Sequence, residues 1–528
     1  MIQRIKRLLG IGRPDPSRGN SIIVNVEKLE RRVALLEDGV LEEYTVEREG
    51  DQNIVGGIFK GRVRNIEPGL KAMFVDIGLD KNAFLHFWDA IPAALDAGLE
   101  EIQREGRAKK QKKISSKDIP DIYPAGSEIV IQVSKGPIGT KGPRVTTNIS
   151  LAGRYLVLMP YTEQFGISRK IEDPAERQRL RKIVQKLTVP EGMGIIMRTV
   201  AQGTRARHFV RDLAMLLEQW DQIEDNRVNS QTPACIFQEP GLIGRTARDF
   251  LTDEIDQVLC DDAETTEKIR EIAGKVSRRA KRRVHHVPSA TQPLFERVGI
   301  QKQIDEAFSR QVWLPCGGYI VIDETEALIA IDVNTGRNRG SKDVDKMILE
   351  TNLEAAQEVA RQLRLRNIGG LVVVDLIDMR HRRDQQAVYK IMRDRLKKDK
   401  AKTQVLQISP IGLMEMTRQR LNESLRDSMY EPCPYCQGRA RVKTPMTMSV
   451  EIQRRLNLVI QKHHDEVGDI VIVVNSDVLN RFKSEDSKLL VELERSHSGR
   501  LTFRSDPSLN RERFAIIDAA TEKTIDQG

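Results

Sequence analysis

The chain has 528 residues, 39% hydrophobic, 30% charged and 5% aromatic, and its 85 Lys and Arg against 76 Asp and Glu leave a net charge of +9. That length allows several cores, so three or more domains are expected; five cysteines in a chain this long do not look like a disulfide framework and fit a reducing cytoplasm. No apolar run reaches the length of a membrane span, and the opening "MIQRIKRLLGIG" is too short and interrupted for a signal peptide, leaving only a weak case for an amphipathic surface anchor.

Residues 21–49 read as short strands around a turn at Asp38-Gly39, and residues 56–87 continue with strands broken at Pro68-Gly69 and Gly78. With "GSEIVIQVSKG" (126–136) as the closing strand, this spacing predicts a small antiparallel barrel. In "KAMFVDIG", Met73, Val75 and Ile77 share the face that would fill the barrel, and Phe74 points the other way. In "NAFLHF", Ala83 and Leu85 share one face while Phe84 and His86 share the other. Outward rings beside Lys and Arg suit single-stranded nucleic acid, whose bases stack on them; packing against another domain explains them equally well. Two basic runs, "REGRAKKQKKISSK" (104–117), which interrupts the barrel like an inserted loop, and "SRRAKRRVHH" (277–286), suit phosphate backbones or anionic membranes, or else are a solvated loop and a solvated helix face. His285-His286 reads as a solvated pair, and "GPIGTKGPR" (136–144) lacks the spacing of a phosphate-binding loop.

Residues 153–244 form a mixed α/β stretch, with strands in "YLVLMP" and "GMGIIMRTV" and a helix from about Arg207 to Trp220. "TARDFLTDEIDQVLC" (246–260) alternates toward a strand, and the segment to Arg283 is helical. Two strands in "GGYIVIDETEALIAIDVNTG" precede a long helix, N-capped by Ser341, with Val344, Ile348, Ala355, Val359 and Leu363 on one face. "GGLVVVDLIDM" (369–379) is a continuous apolar run, as in a strand buried on both faces. A small α/β region follows from about Arg441.

The strand "LIAIDVN" carries Asp332 and Asn334 on the face opposite Ile329, Ile331 and Val333, and the next strand carries Asp375 after three valines. Strand, helix, strand is the βαβ pattern, which makes neighbouring strands parallel and brings their carboxyl ends to one edge, where open sheets bind ligands. Two ionised carboxylates there repel unless they share a proton, pair with a cation such as Arg337 or Arg380, or hold a divalent ion. Mg²⁺ prefers oxygen ligands, often one or two carboxylates with waters and a substrate phosphate; it would polarise a phosphoryl oxygen and activate water. Asn334 would bond the phosphate or orient that water. The structural alternative, strand-end caps or ion pairs, stays open at this level. Asp378 reads as a cap or structural partner, and Asp323 and Glu324 sit in a hairpin.

"CPYCQG" places Cys433 and Cys436 in a C-x-x-C knuckle with Gly438 able to make the turn. Structural Zn²⁺ takes four ligands. Cys235, Cys260 and Cys316 look like isolated core residues, so the simplest completion is a second copy of the chain, giving a Cys₄ site shared by two chains. A redox pair, or completion by His463 and His464, competes with it.

"TEALIAIDVNTG", "TNLEAAQEVARQLRLRNIGGLVVVDLIDM", "GLMEMTRQR" and "CPYCQG", in this order, resemble the catalytic region of the bacterial ribonuclease E/G family. "IEPGLKAMFVDIG", "SLAGRYLVLMP", "GISRKIE" and "EGMGIIMRT" agree with it, so the resemblance runs from about Ile22 to Arg441. It implies an α/β multidomain fold. Residues 1–20 are an N-terminal extension, and an RNase H-like subdomain is split between 21–52 and 244–308. An OB-fold RNA-binding barrel with a basic insertion occupies 53–147, and a 5′-sensor region 148–243. A DNase I-like catalytic subdomain spans 309–429, a zinc-link 430–440 and a small C-terminal domain 441–528.

The implied activity is hydrolysis of single-stranded RNA to 5′-phosphate and 3′-hydroxyl ends, in rRNA and tRNA processing and mRNA decay in the cytoplasm. Asp332 and Asp375 match the family's magnesium ligands, and Asn334 matches a residue supporting the reaction. Phe74, Phe84 and Lys141 match RNA-holding positions of the barrel. Gly153, Val157, Arg169, Arg198 and Thr199 match a pocket sensing a 5′-monophosphate. Cys433 and Cys436 match the zinc link of a homodimer, and the family assembles further into a homotetramer. Lys170 stands where ribonuclease E has a second arginine, which removes one bidentate contact. The basic insertion near Lys109 to Lys113 has no counterpart in the pattern, and the end near residue 528 leaves no long scaffold tail for recruiting partners. The rival functions are a non-catalytic RNA-binding protein on the same barrel and a DNA-directed metal nuclease.

Overall fold

The computed structural model describes residues 19–49, 54–91, 99–102, 115, 118–137, 141–250, 254–276, 278–288, 292–325, 327–337, 343–397, 399–420, 424–462, 468–497 and 499–527. The expected amphipathic start, most of the basic insertion, Ser341, His463 and His464 lie outside the described residues. The chain divides into two units, one running to Ser428 and the other starting at Met429. It is a mixed α/β multidomain protein, and none of its described helices is long and apolar enough to cross a membrane.

Among the described residues, the first unit holds four sheets. The first combines Asn20–Val26, Glu30–Glu37 and Val40–Arg48, antiparallel, with Gln257–Cys260 and Val284–His286 added in parallel from far along the chain. The turn at Asp38 and Gly39 has φ of 49° and 82°, the conformation a tight two-residue hairpin needs. Thr246 belongs to a helix, Leu242–Phe250, and only Gln257–Cys260 is strand. Leu242, Thr246 and Ala247 are buried together, a helical spacing that outweighs the short alternation.

The barrel closes. Ile58–Glu67 pairs with both Ala72–Asp76 and Glu128–Lys135, and Ala83–His86 and Arg144–Thr146 complete a ring of five strands with OB-like character. Met73, Val75, Ile77, Ala83 and Leu85 fill it. A third sheet, built on Leu156–Met159, Gly194–Met197 and Phe165–Ser168, shares an apolar core with the helices Pro174–Lys186 and Ala206–Asn229.

The fourth sheet runs in the order Gln311–Trp313, Tyr319–Glu324, Leu328–Asn334, Gly370–Asp375, Leu413–Arg418, Thr403–Val405. Leu328–Asn334 and Gly370–Asp375 are parallel neighbours joined by the helix Val344–Leu365, as a βαβ crossover requires. One face, including Ile320, Ile331, Val372, Val374 and Met414, packs on that helix and on Arg382–Leu396. The other face is open: Leu371 is 45% exposed and Ala330, Asp332 and Asp375 are exposed. The strand expected to be buried on both faces is therefore covered on one. Continuous apolar character reports what a strand tolerates, not whether a second layer covers it. The long helix is capped by Asp343, whose carboxylate accepts from the Lys346 N–H at 3.4 Å. Ala355, Val359 and Leu363 are buried in it, but Val344, in its first turn, is exposed.

The second unit places the helix Pro445–Lys462 and two shorter helices on a four-stranded sheet ordered Leu501–Ser505, Ile470–Val474, Phe514–Asp518, Thr524–Gln527. The cysteines split: Cys260 is buried, Cys316 half-buried and Cys235 exposed. Cys235 lies on a short strand flanking the barrel, where alternate residues face out, so it is not the core residue its apolar neighbours suggested. His285 is no solvated residue either: it is half-buried on the strand Val284–His286, and burial, reinforced by the charge of Arg270, holds its pKa below the ordinary value.

Candidate active site

The parallel pairing of Leu328–Asn334 with Gly370–Asp375 puts Asp332 directly opposite Asp375. Residues opposed across a ladder point to the same face, here the open one. Asn334, two residues on, donates from Nδ2 to Asp332 Oδ2 at 2.8 Å. Val321 and Leu413 flank the pair on the outer strands. Among the described residues no Lys or Arg forms an ion pair with either carboxylate. The guanidinium of Arg337, a candidate partner, lies over the Trp313 ring instead. Asp323 is taken by Arg310, at 2.5 and 2.7 Å, and burial pushes the Glu324 carboxyl up. Asp378 lies past the strand, against the Gly412 turn.

The loop after Asp375 is pinned from below by Asn352. This fully buried side chain on the long helix donates to the Ile377 carbonyl at 2.8 Å and accepts from the Ile377 N–H at 3.1 Å. Sequence reasoning missed it; the available signal was a polar residue at a buried position of an amphipathic helix. Among the described residues no cluster of three or more His, Cys, Asp or Glu side chains is gathered for a metal. The site is a pair of carboxylates with an amide, a donor set that suits Mg²⁺, which keeps several waters and takes few protein ligands.

On the barrel, Phe74 and Phe84 are cross-strand partners, half-buried, with rings edge-on at 5.9 Å. Lys141 is exposed, and the next residue, Gly142, lies flat on the Asn82 carbonyl, where a Cβ would be 2.1 Å from that oxygen.

Gly153, Val157, Arg169, Arg198 and Thr199 gather at one edge of the third sheet. Ile167 and Met197 are opposed on parallel strands, so the chain following each emerges at the same end. Val157 and Gly153 arrive there on the antiparallel neighbour. Arg198 donates from Nη1 to the Gly153 carbonyl at 2.5 Å and to Asp249 at 2.8 Å. Burial pushes the Asp249 carboxyl up, but Arg248 and Arg198 outweigh it and hold the group below its ordinary value. Asp212 supports the same corner by accepting the N–H groups of Arg154, Tyr155 and Leu156 at 3.1, 2.8 and 2.9 Å. Neither Asp249 nor Asp212 carried a sequence signal, since each acts across a long separation. Lys170 points away, donating to the backbone carbonyls of Asp399 and Lys400 at 2.7 and 3.3 Å.

In the second unit, the Cys433–Cys436 knuckle closes through Gln437 N–H to the Cys433 carbonyl at 2.7 Å, and Gln437 and Gly438 take positive φ of 50° and 81°. Backbone N–H groups of Cys436 and Tyr435, helped by the Cys436 thiol, hold the exposed Cys433 thiol below its ordinary pKa. That favours the thiolate, the form that ligates metals.

A family model described as "Ribonuclease E/G family" matches residues 150–421. Ribonuclease G of Salmonella typhimurium (strain SL1344) is 37% identical over 94% of this chain and 99% of its own length. Ribonuclease G of Escherichia coli (strain K12) is 38% identical with the same coverage. Ribonuclease E of Escherichia coli (strain K12) is 38% identical over 88% of this chain, which spans 43% of that longer protein.

Proposed function

This chain belongs to the ribonuclease E/G family, and we propose that it is a metal-dependent endoribonuclease that hydrolyses single-stranded RNA to 5′-phosphate and 3′-hydroxyl ends in RNA processing and decay. The observation carrying this reading is the register pairing of Asp332 with Asp375 on an open sheet face, with no cationic partner among the described residues. Asp332 and Asp375 would hold Mg²⁺, which supplies charge neutralisation at a phosphoryl oxygen and activation of water. Asn334 fixes the Asp332 carboxylate and would bond the scissile phosphate or orient the attacking water. Phe74 and Phe84 stack bases and Lys141 contacts the backbone phosphates. Both bonds of Arg198 leave from Nη1, so the other N–H groups of its fork would bind a 5′-monophosphate, with Arg169 and the Thr199 hydroxyl.

Water would attack phosphorus and give up a proton to solvent as the P–O3′ bond breaks, and the leaving 3′-oxygen would take a proton from solvent to end as the 3′-hydroxyl. The 2′-hydroxyl is not the nucleophile, so preference for RNA comes from binding contacts. The test incubates a labelled 5′-monophosphorylated RNA and a matched single-stranded DNA with and without Mg²⁺, using the wild type and Asp375→Ala. Mg²⁺-dependent cutting of RNA alone, lost in the variant, is expected. Unchanged cutting by Asp375→Ala would remove the role given to the carboxylate pair; equal cutting of DNA would assign a nuclease of broader substrate.

A further inference from the structure

The open sheet face carries an aromatic pair that the reading above does not use. Trp313 ends the edge strand opposite Tyr319, and Tyr319 is opposite Asn334. The three residues share one rung and one face with the neighbouring rung of Asp332 and Asp375, while the alternate residues Val312, Ile320 and Val333 are buried beneath. The Trp313 and Tyr319 rings meet edge-on with centroids 5.3 Å apart, and the Arg337 guanidinium lies 5.3 Å from the Trp313 centroid.

A tight turn holds this arrangement. Gly336 has φ +54°, and a Cβ there would be 2.6 Å from the Gly317 carbonyl and 3.0 Å from Tyr319 Cδ1. The next N–H, of Arg337, donates to the Gly317 carbonyl at 2.9 Å. The backbone thus lies on the tyrosine and returns Arg337 over the tryptophan. Trp313 is nevertheless 52% exposed, so the ring is braced without being buried. A braced, open indole with a cation beside it suits a base stacked on the ring and a phosphate on the cation.

We propose that Trp313, Tyr319 and Arg337 form a stacking subsite for an unpaired RNA base near the scissile phosphate, with the indole taking the base and Arg337 an adjoining phosphate. The position next to the scissile bond rests on the nuclease reading of Asp332 and Asp375. Two strand spacings, roughly 10 Å, separate Trp313 from Asn334, so a base held there anchors the strand across the carboxylates. Every base has a π-face, so the subsite sets position more than sequence and favours a purine through its larger stacking surface.

The test uses the full-length chain and a short 3′-fluorescein-labelled single-stranded RNA, intact or with one abasic nucleotide stepped along both sides of the cleavage position. Trp313→Ala is expected to raise KM about ten-fold with a smaller change in kcat, and to weaken binding in anisotropy by a similar factor; Trp313→Phe restores most of both. At one abasic position the wild type loses the same factor and Trp313→Ala loses nothing further. Unchanged KM and binding in Trp313→Ala, or the absence of any abasic position that cancels the variant's effect, would overturn the inference. A changed oligomeric state with intact RNA affinity would also overturn it, assigning the ring to a second copy of the chain. Anisotropy needs no chemistry: RNA binding through Trp313 without cleavage would sink the nuclease reading and leave the stacking subsite standing.

Discussion

Asn334 and Asp332 are joined by a 2.8 Å hydrogen bond between side chains two residues apart on one strand. The amide orients the carboxylate that stands opposite Asp375. Removing such a supporting partner commonly costs about 10–100-fold in metal affinity or activity. Asn334→Ala is therefore expected to lower the cleavage rate within that range and to raise the Mg²⁺ concentration at half-saturation. A Mg²⁺ titration of RNA cleavage reads both, and a variant indistinguishable from wild type would show that Asp332 needs no such support.

The Cys433–Cys436 knuckle supplies two thiols per chain, against the four ligands of structural zinc. A site shared by two chains predicts about one-half equivalent of Zn²⁺ per chain by atomic absorption. Cys433→Ser should lose the metal and shift the chain toward monomer in sedimentation. A full equivalent per chain would contradict sharing.

Arg418 and Asp399 form a doubly hydrogen-bonded pair at 2.7 and 3.2 Å, with side chains only 3% and 2% exposed. Arg418 also donates to the Ile368 carbonyl at 2.7 Å. Asp399→Ala would leave a buried guanidinium without its counter-ion, a change that costs about 3–5 kcal/mol. Denaturant unfolding of wild type and variant measures it; a difference below about 1 kcal/mol would mean that water or another carboxylate replaces the lost partner.

His285 ties stability to pH. Its folded pKa lies below the ordinary value, chiefly through burial. Between the folded pKa and the unfolded value of about 6.5, the unfolded chain binds more protons. Its contribution to stability is therefore intact above pH of about 6.5 and is lost as pH falls through the folded pKa. His285→Gln should flatten this part of the unfolding free-energy profile, while equal slopes in wild type and variant would exclude the residue as a source.

Much of this protein is legible along the chain because local backbone geometry sets the signals. Two-residue alternation marked Met73, Val75 and Ile77 as barrel filling, and all three are buried. Asp38-Gly39 marked a hairpin because its left-handed conformation restricts the residues that fit. The βαβ order set Asp332 and Asp375 on parallel strands, since a helical crossover permits little else. Tertiary structure alone decided the register that opposes those two carboxylates and the open face that leaves Leu371 exposed. It also decided the partnerships of Arg198 with Asp249 and of Asn352 with Ile377. Each joins segments separated in the chain, and a residue's own neighbours carry no record of which distant surface will cover it.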